Sequence, residues 1–266
     1  MQWEEFSYRW LRIAELTTTR YFVIAGLAFL IFYFLLKKMT ANRRMQAKYP
    51  KTRDYSRDII YSLITILIFA TIATLVFIVF QPFTNLYWEK DKYGLFYFYL
   101  CFPLMLLIHD AYFYAMHRLM HHPKLFRLVH KVHHQSTNPS PWTAYAFHPL
   151  EAVIEAGIIP VIAFTLPVYQ SSLGLFLLFQ FFYNVYGHLG VELFPKNFQR
   201  QWLGRWVSTG TAHNQHHEHF HGNYGLYTLI WDRLFGTLRE DYEQKFDQVT
   251  KPRDSDPKEK SIKHLA

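Results

Sequence analysis

Cysteine is almost absent. Cys101 stands alone in 266 residues, so the chain has no internal disulfide framework and no thiolate site for zinc or an iron–sulfur cluster. Acidic residues are also in short supply, 20 Asp and Glu against 28 Lys and Arg, for a formal net charge of +8. That excess does not point to nucleic acid, because the basic residues gather in loops beside apolar stretches, as they do next to membranes. Charge is missing altogether from residues 59–80. As a helix that run is about 33 Å long, enough to cross a bilayer, and it lacks the polar stripe of a buried core helix. A cleavage site of small residues is lacking after the first apolar run, where Lys37 and Lys38 stand instead. This argues against a cleaved signal peptide.

What is present alternates between apolar and charged. Residues 1–20 mix Trp3, Phe6, Trp10 and Leu11 with Glu4, Glu5, Arg9 and Arg12, the pattern of an amphipathic helix lying on a membrane surface. Residues 21–36 and 59–80 follow as two spans. The connector 37–57 holds eight basic residues against Asp54, which places it in the cytoplasm by the positive-inside rule. A third apolar run begins at Tyr93 and has no breaker after Pro103 until Pro123. A helix over 95–121 would measure about 40 Å, about 10 Å more than the hydrocarbon core needs, and would carry its C-terminal end past the cytoplasmic surface. Residues 152–168 and 171–187 read as a hairpin of helices that enters the membrane and returns. Residues from about 239 onward are charged and read as a solvated tail. The expected architecture is an all-α, multi-pass membrane bundle. Its parts are 1–92, an amphipathic segment and two spans; 93–238, the part bearing the histidines; and 239–266, the tail.

Parity then puts every histidine cluster on one side. His117 and His121 form H-x-x-x-H, and H-x-x-H-H occurs twice, at His130, His133 and His134 and at His213, His216 and His217. Residues three and four apart on a helix share a face, so each spacing is expected to aim its imidazoles at a common point, as a metal requires. A zinc site takes about four ligands, so eight candidates imply two metals, or one metal with ligands to spare. Asp110, seven residues before His117, is expected to orient a ligand imidazole.

Imidazole suits zinc, copper, iron and nickel. Two-metal hydrolases lean on bridging carboxylates, and none is interleaved at ligand spacing in the two H-x-x-H-H motifs. An all-nitrogen pair of redox-active metals beside a bilayer points instead to O2 chemistry on a lipid. Two alternatives remain, a zinc-dependent membrane lipid hydrolase and a metal transporter. The transporter would need ligating residues inside its spans, and 59–80 has none.

The segments HDAYFYAMHRLMHH, HKVHHQS, HPLE and HNQHHEHFHGNYG, followed by WDRLFGT, resemble in content and order the fatty acid hydroxylase and sterol desaturase superfamily of integral-membrane di-iron oxidases. The resemblance runs over about 93–238 and implies that this part is the catalytic domain. It further implies a cytoplasmic histidine cap holding two irons, O2 as co-substrate, a membrane lipid such as a fatty acyl chain or sterol as substrate, and no nucleic acid. Electrons would come from a separate ferredoxin- or cytochrome b5-like protein. The protein would sit in the cell membrane of a bacterium or the endoplasmic reticulum of a eukaryote. Carried over by motif, the ligands are His117, His121, His130, His133, His134, His213, His216 and His217, with His188 as a ninth and Asn184 and His109 as weaker candidates. Asp110, Glu151 and His148 are expected to support the ligands from behind, His122 to be structural or supporting, and His219 and His221 to line the entrance.

Overall fold

The computed structural model describes residues 2–251. Three long helices dominate it: α1 (Gln2–Phe29), α2 (Thr52–Thr74) and α3 (Gly94–Met120). The first two run on as π-helical turns, Leu30–Leu35 and Leu75–Val79. All three are long and apolar enough to cross a membrane, and the protein is a helical membrane protein. Strand among the described residues is limited to the two-residue β1 (Leu86–Tyr87) and β2 (Val168–Tyr169), paired in parallel.

The first helix corrects an expectation. A surface helix over 1–20 followed by a separate span is instead one rod, because no proline interrupts it and its first glycine is Gly26. The three threonines at 17–19 are weak helix formers but not breakers. Arg20 is thereby placed within a spanning helix.

Proline sets the starts of the short helices that follow, where its missing N–H is no loss. α4 (Pro123–Val129) begins at Pro123, α5 (Lys131–His134) follows directly, and α6 (Pro149–Ala156) begins at Pro149. α7 (Ile158–Thr165) continues from α6 across Gly157, so the first arm of the expected hairpin is two short helices. The second arm is α8 (Gln170–Gly187). At the tip, Val168 donates its N–H to Asn85 at 3.3 Å and the Tyr97 hydroxyl donates to Pro167 at 2.8 Å. These bonds tie the tip to the end of α3 farthest from its histidines. The hairpin thus runs the depth of the bundle away from the histidines and back.

α9 (Gly210–His219), α10 (Ile230–Leu234) and α11 (Tyr242–Thr250) complete the chain. α11 corrects the reading of residues from 239 as a solvated tail. Tyr242, Phe246 and Val249 recur at helical spacing and are buried, two of them with Ala212 of α9 in one apolar cluster. The part of that tail beyond residue 251 lies outside the described residues.

Two apolar cores fix the bundle. One joins α2, α3, α7 and α8 through Met105, Ile162, Leu173 and Phe176, and the other joins α1, α2, α8 and the turn at 141–147 through Tyr21, Ile66, Ala144 and Phe181. The basic connector after α1 lies on the histidine side, where Met45 donates to the Gly190 carbonyl at 3.2 Å and Gln46 to the Asn214 side chain at 3.1 Å.

Candidate metal centre

Nine histidines meet at this end of the bundle. α3 supplies His117, with His121 at its C-terminal cap; His130 joins α4 to α5; α5 carries His133 and His134; His188 caps α8; and α9 carries His213, His216 and His217. They form two groups. One is His117, His121, His130, His134 and His216, and the other is His133, His188, His213 and His217; within each group the ligand nitrogens all lie within 4.8 Å of one another.

The grouping corrects a detail of the spacing argument. Each H-x-x-H-H motif divides between both groups and does not converge on one point. His130 with His134, and His213 with His217, are four apart and share a face, whereas His133 and His216 are turned about 100° from a neighbouring ligand and face the other group. The two motifs cross-brace the centre.

The chemistry of the donor set fits a pair of cations. His134 Nε2 lies 3.0 Å from His216 Nε2 and 3.1 Å from the Nε2 atoms of both His121 and His130, while His188 Nε2 lies 3.0 to 3.3 Å from those of His213, His217 and His133. Imidazole lone pairs this close repel unless a proton or a cation lies between them. Protons are disfavoured. Burial, followed by the neighbouring imidazoles, pushes His130, His133, His134, His213, His216 and His217 well below the usual histidine range, and burial brings His188 down to about 4.

Five of the outer nitrogens are occupied, and in those rings this fixes the tautomer that leaves Nε2 free to bind metal. Nδ1–H of His117 donates to the Tyr224 carbonyl at 2.9 Å, that of His188 to Asn184 at 2.7 Å, that of His216 to Gly222 at 2.8 Å and that of His217 to Ser136 at 3.0 Å. His130 Nδ1 meets Glu151 Oε1 at 2.6 Å, and Glu151 is fully buried. Burial pushes the Glu151 carboxyl well up and the His130 ring well down, so without a cation the pair is neutral. A cation on the far side of the ring would draw the carboxyl to its charged form.

Four other buried carboxylates brace the segments around the centre. Asp232 accepts from the N–H groups of Tyr224 and Gly225 at 2.9 and 2.8 Å, shaping the loop whose carbonyls orient His117 and His216. Gly225 is required there, since a Cβ would run into the Thr228 carbonyl and the Asp232 carboxylate. Asp58 accepts from the Ser136 hydroxyl at 2.7 Å and so fixes the residue that orients His217. Glu192 accepts from the N–H and hydroxyl of Thr211 at 2.9 and 2.8 Å, in the first turn of α9 where a negative charge is favoured. The fourth is Asp110. It was expected to orient an imidazole, but its partners are the N–H groups of Tyr227 and Thr228, the Thr228 hydroxyl and the Trp231 indole. It pins the C-terminal segment to α3 and touches no histidine.

Other expected positions fall elsewhere. His109 stands outside both groups, with Nδ1 2.9 Å from the Tyr227 hydroxyl. His148 caps α6 by accepting from the Leu150 N–H at 3.3 Å, and His122 caps α4 in the same way through Lys124 at 3.4 Å. Asn184 donates its side-chain amide to the Ala144 carbonyl at 2.6 Å, and its own carbonyl orients His188. His219 and His221 are exposed. His221 lines a cleft of about 420 Å³ with His121, Phe126, Arg127 and Phe220, opening beside the five-histidine group. Asp58, Glu192 and Asp232 were not singled out from sequence. The available signal for Glu192 was in HLGVE, which sets the acid beside Leu189 and Val191, both buried.

The fatty acid hydroxylase family matches residues 102–237, just over half of the chain. Among curated relatives, a Delta(7)-sterol 5(6)-desaturase of Aspergillus fumigatus is 31% identical over 150 residues, 56% of this chain and 40% of that protein. One of Leptosphaeria maculans is 26% identical over 233 residues, 87% of this chain and 61% of that protein. One of Saccharomyces cerevisiae is 31% identical over 139 residues, 52% of this chain and 36% of that protein. The chain therefore spans about half the length of the relatives it matches. No solved structure matches it.

Proposed function

The chain belongs to the fatty acid hydroxylase family, and from that premise we propose that it is an O2-dependent lipid oxidoreductase holding two irons, with residues 93–238 as its catalytic domain. One observation carries the reading: nine imidazoles in groups of five and four, with most of their outer nitrogens held by the protein. His117, His121, His130, His134 and His216 would hold one iron, and His133, His188, His213 and His217 the other. The relatives named as sterol desaturases favour a sterol-like or acyl lipid as the substrate.

Bound iron would supply the activation of O2 that oxidation of an unactivated C–H bond requires. In balance, O2, two electrons and two protons convert a C–H bond to an alcohol and one water, or a CH–CH pair to an alkene and two waters. The residues of the chain supply position. Tyr224, Gly222, Ser136, Asn184 and Glu151 fix the imidazoles, and the buried carboxylates fix the loops behind them, so the ligand cage needs little reorganisation. Phe147 packs against His133 with ring centroids 5.1 Å apart and so supports the four-histidine group from the side of the bundle core. The cleft beside His121, with Arg127 on its wall, suits an acidic ferredoxin- or cytochrome b5-like electron donor. The connector after α1, rich in Lys and Arg, packs on this same face, which supports a cytoplasmic histidine cap on a multi-pass protein.

Metal analysis of anaerobically purified full-length protein tests the proposal. Two irons per chain, and O2 uptake that needs both a reductant and lipid, are expected. Tightly held zinc with turnover in the absence of O2 would overturn it in favour of a hydrolase. Mass spectrometry of lipids from cells with and without the protein should show one lipid shifted by one oxygen or by two hydrogens.

A further inference from the structure

The segments that follow α9 reach farther along α3 than its histidine end. Lys90, Asp91 and Lys92 are the last charged residues before α3, so Gly94 stands at one edge of the bilayer. At 1.5 Å per residue, Asp110 lies about 24 Å along the helix, inside a hydrocarbon core of about 30 Å. Asp110 accepts from the Tyr227 and Thr228 N–H groups and the Trp231 indole, so residues 227–231 run at that depth. Leu106, about 18 Å along, packs with Leu226 and Tyr227 in one apolar cluster. Non-helical backbone at membrane depth is tolerated where the protein itself meets its polar groups. Besides the bonds to Asp110, Ser208 N–H donates to the Tyr227 carbonyl at 3.0 Å, Leu229 N–H to that of Trp206 at 2.8 Å, and the Tyr183 hydroxyl to that of Ser208 at 2.6 Å. With the bridge between Val207 and Thr228, these bonds join 202–208 and 225–235 into one unit.

The outward side of this unit is apolar and basic. Leu203 and Leu234, 64% and 67% exposed, stand with Trp202, Ile230 and Phe235 as large uncovered side chains. Among them Arg205 and Arg233 both lie over the Trp206 ring, at 4.8 and 5.7 Å from its centroid. Arg233 Nε donates to the Arg205 carbonyl at 3.2 Å, which draws the two side chains together. Among the described residues neither forms an ion pair. The acid beside Arg233 in the chain, Asp232, is fully buried and accepts from the Tyr224 and Gly225 N–H groups. Two guanidiniums on one ring with no carboxylate leave a positive site open to an anion.

We propose that residues 202–208 and 225–235 form a wedge seated in the leaflet on the histidine side, where Arg205 and Arg233 hold the phosphate of an anionic phospholipid. The apolar side chains take the acyl and glycerol level and the guanidiniums the headgroup level. A soluble acidic protein would satisfy the charge but not the depth, since the same unit is bonded to α3 inside the hydrocarbon core.

Two measurements on the full-length protein test this, and neither needs metal or turnover. In nanodiscs, a nitroxide attached through Leu203→Cys or Leu234→Cys reports depth by power-saturation EPR, the native Cys101 being buried. Collisions with O2, which concentrates in the bilayer, should exceed those with a water-soluble nickel chelate at both positions. The reverse order would place the unit in water, and protection from both would place it against a second copy of the chain; either overturns the proposal. For the lipid, native mass spectrometry of delipidated protein titrated with phosphatidylglycerol or phosphatidylcholine should show one phosphatidylglycerol held more tightly than any phosphatidylcholine. Arg205→Gln with Arg233→Gln should weaken that one by about 30-fold, from about fivefold per arginine. Lys37→Gln with Lys38→Gln, an equal loss of charge on the connector after α1, should leave it unchanged. Equal affinity for the two lipids on the unaltered chain, or equal weakening by the two pairs of substitutions, would overturn the proposal.

Discussion

Glu151 offers the most direct way to test whether the two histidine groups are separate metal sites. Its carboxylate meets His130 Nδ1 at 2.6 Å, is fully buried, and has no other imidazole partner. His130 belongs to the five-histidine group. Glu151→Gln keeps the shape and leaves an amide oxygen to accept from Nδ1–H, but removes the charge that makes the ring a better donor to metal. Loss of a carboxylate behind a ligand histidine costs about 10- to 100-fold in metal affinity, equivalent to about 1.4–2.7 kcal/mol. Glu151→Ala goes further, because it strands a buried N–H at a cost of about 1–3 kcal/mol. Anaerobic titration of the iron-loaded protein with a competing chelator, followed by metal analysis, should therefore show one iron leaving at a 10- to 100-fold lower chelator concentration in Glu151→Gln, and lower again in Glu151→Ala. The second iron, held by the group that Glu151 does not touch, should leave where it does in the unaltered protein. Simultaneous loss of both irons would show that the groups are not independent, and an unchanged titration would show that Glu151 does not support a ligand.

The remaining predictions concern the ligands and the surrounding braces. His133→Ala and His216→Ala each remove one ligand from a different group, and each should abolish lipid oxidation and lower bound iron while leaving membrane insertion intact, as read by fractionation and metal analysis. Asp110→Ala strands the N–H groups of Tyr227 and Thr228 and the Trp231 indole; it should destabilise the fold by about 3 kcal/mol or more in thermal unfolding, and Asp110→Asn, which keeps an acceptor, should recover part of that. Gly225→Ala should displace the loop that orients His117 and His216, reducing bound iron more than it lowers the unfolding temperature. Acid should unfold the metal-free protein. The His188 ring has its folded value lowered from 6.5 to about 4, so its contribution is fully present above pH 6.5 and is lost as pH falls through that window, because the unfolded chain takes up the proton first. That one ring is worth about 3 kcal/mol over the window. The other buried histidines shift in the same direction, and melting curves at pH 7.5, 6 and 5 should fall steeply.

The sequence by itself determined the long helices and the identity of the nine histidines. The helices and eight of the histidines are written in local terms, as apolar runs long enough to cross a bilayer and imidazoles spaced for one helix face, whereas His188 has no histidine near it in sequence and came with the family resemblance. Where local terms failed, the cause was a missing breaker or a periodicity that passed unremarked. Nothing separates Arg20 from Tyr21, so two expected elements are one helix. Tyr242, Phe246 and Val249 are spaced for burial within a charged stretch, so part of an expected tail is a packed helix.

Only the tertiary structure decided which histidine joins which group. His133 and His134 are neighbours in the chain yet belong to different groups, because a step of one residue turns about 100° around a helix and the partners on α3, α8 and α9 arrive from different directions. The same holds for what surrounds the centre. Asp110 looked like a partner for His117 by spacing, but the bonding groups within reach of its carboxylate come from residues 227–231, a hundred or more positions away. Glu151, Asp58, Glu192 and Asp232 gained their roles from loops that no spacing rule connects to them. Spacing along a helix is a local property and can be read from a string of residues. Contact between elements far apart in sequence depends on how their apolar faces pack together, and that is settled only when the chain folds.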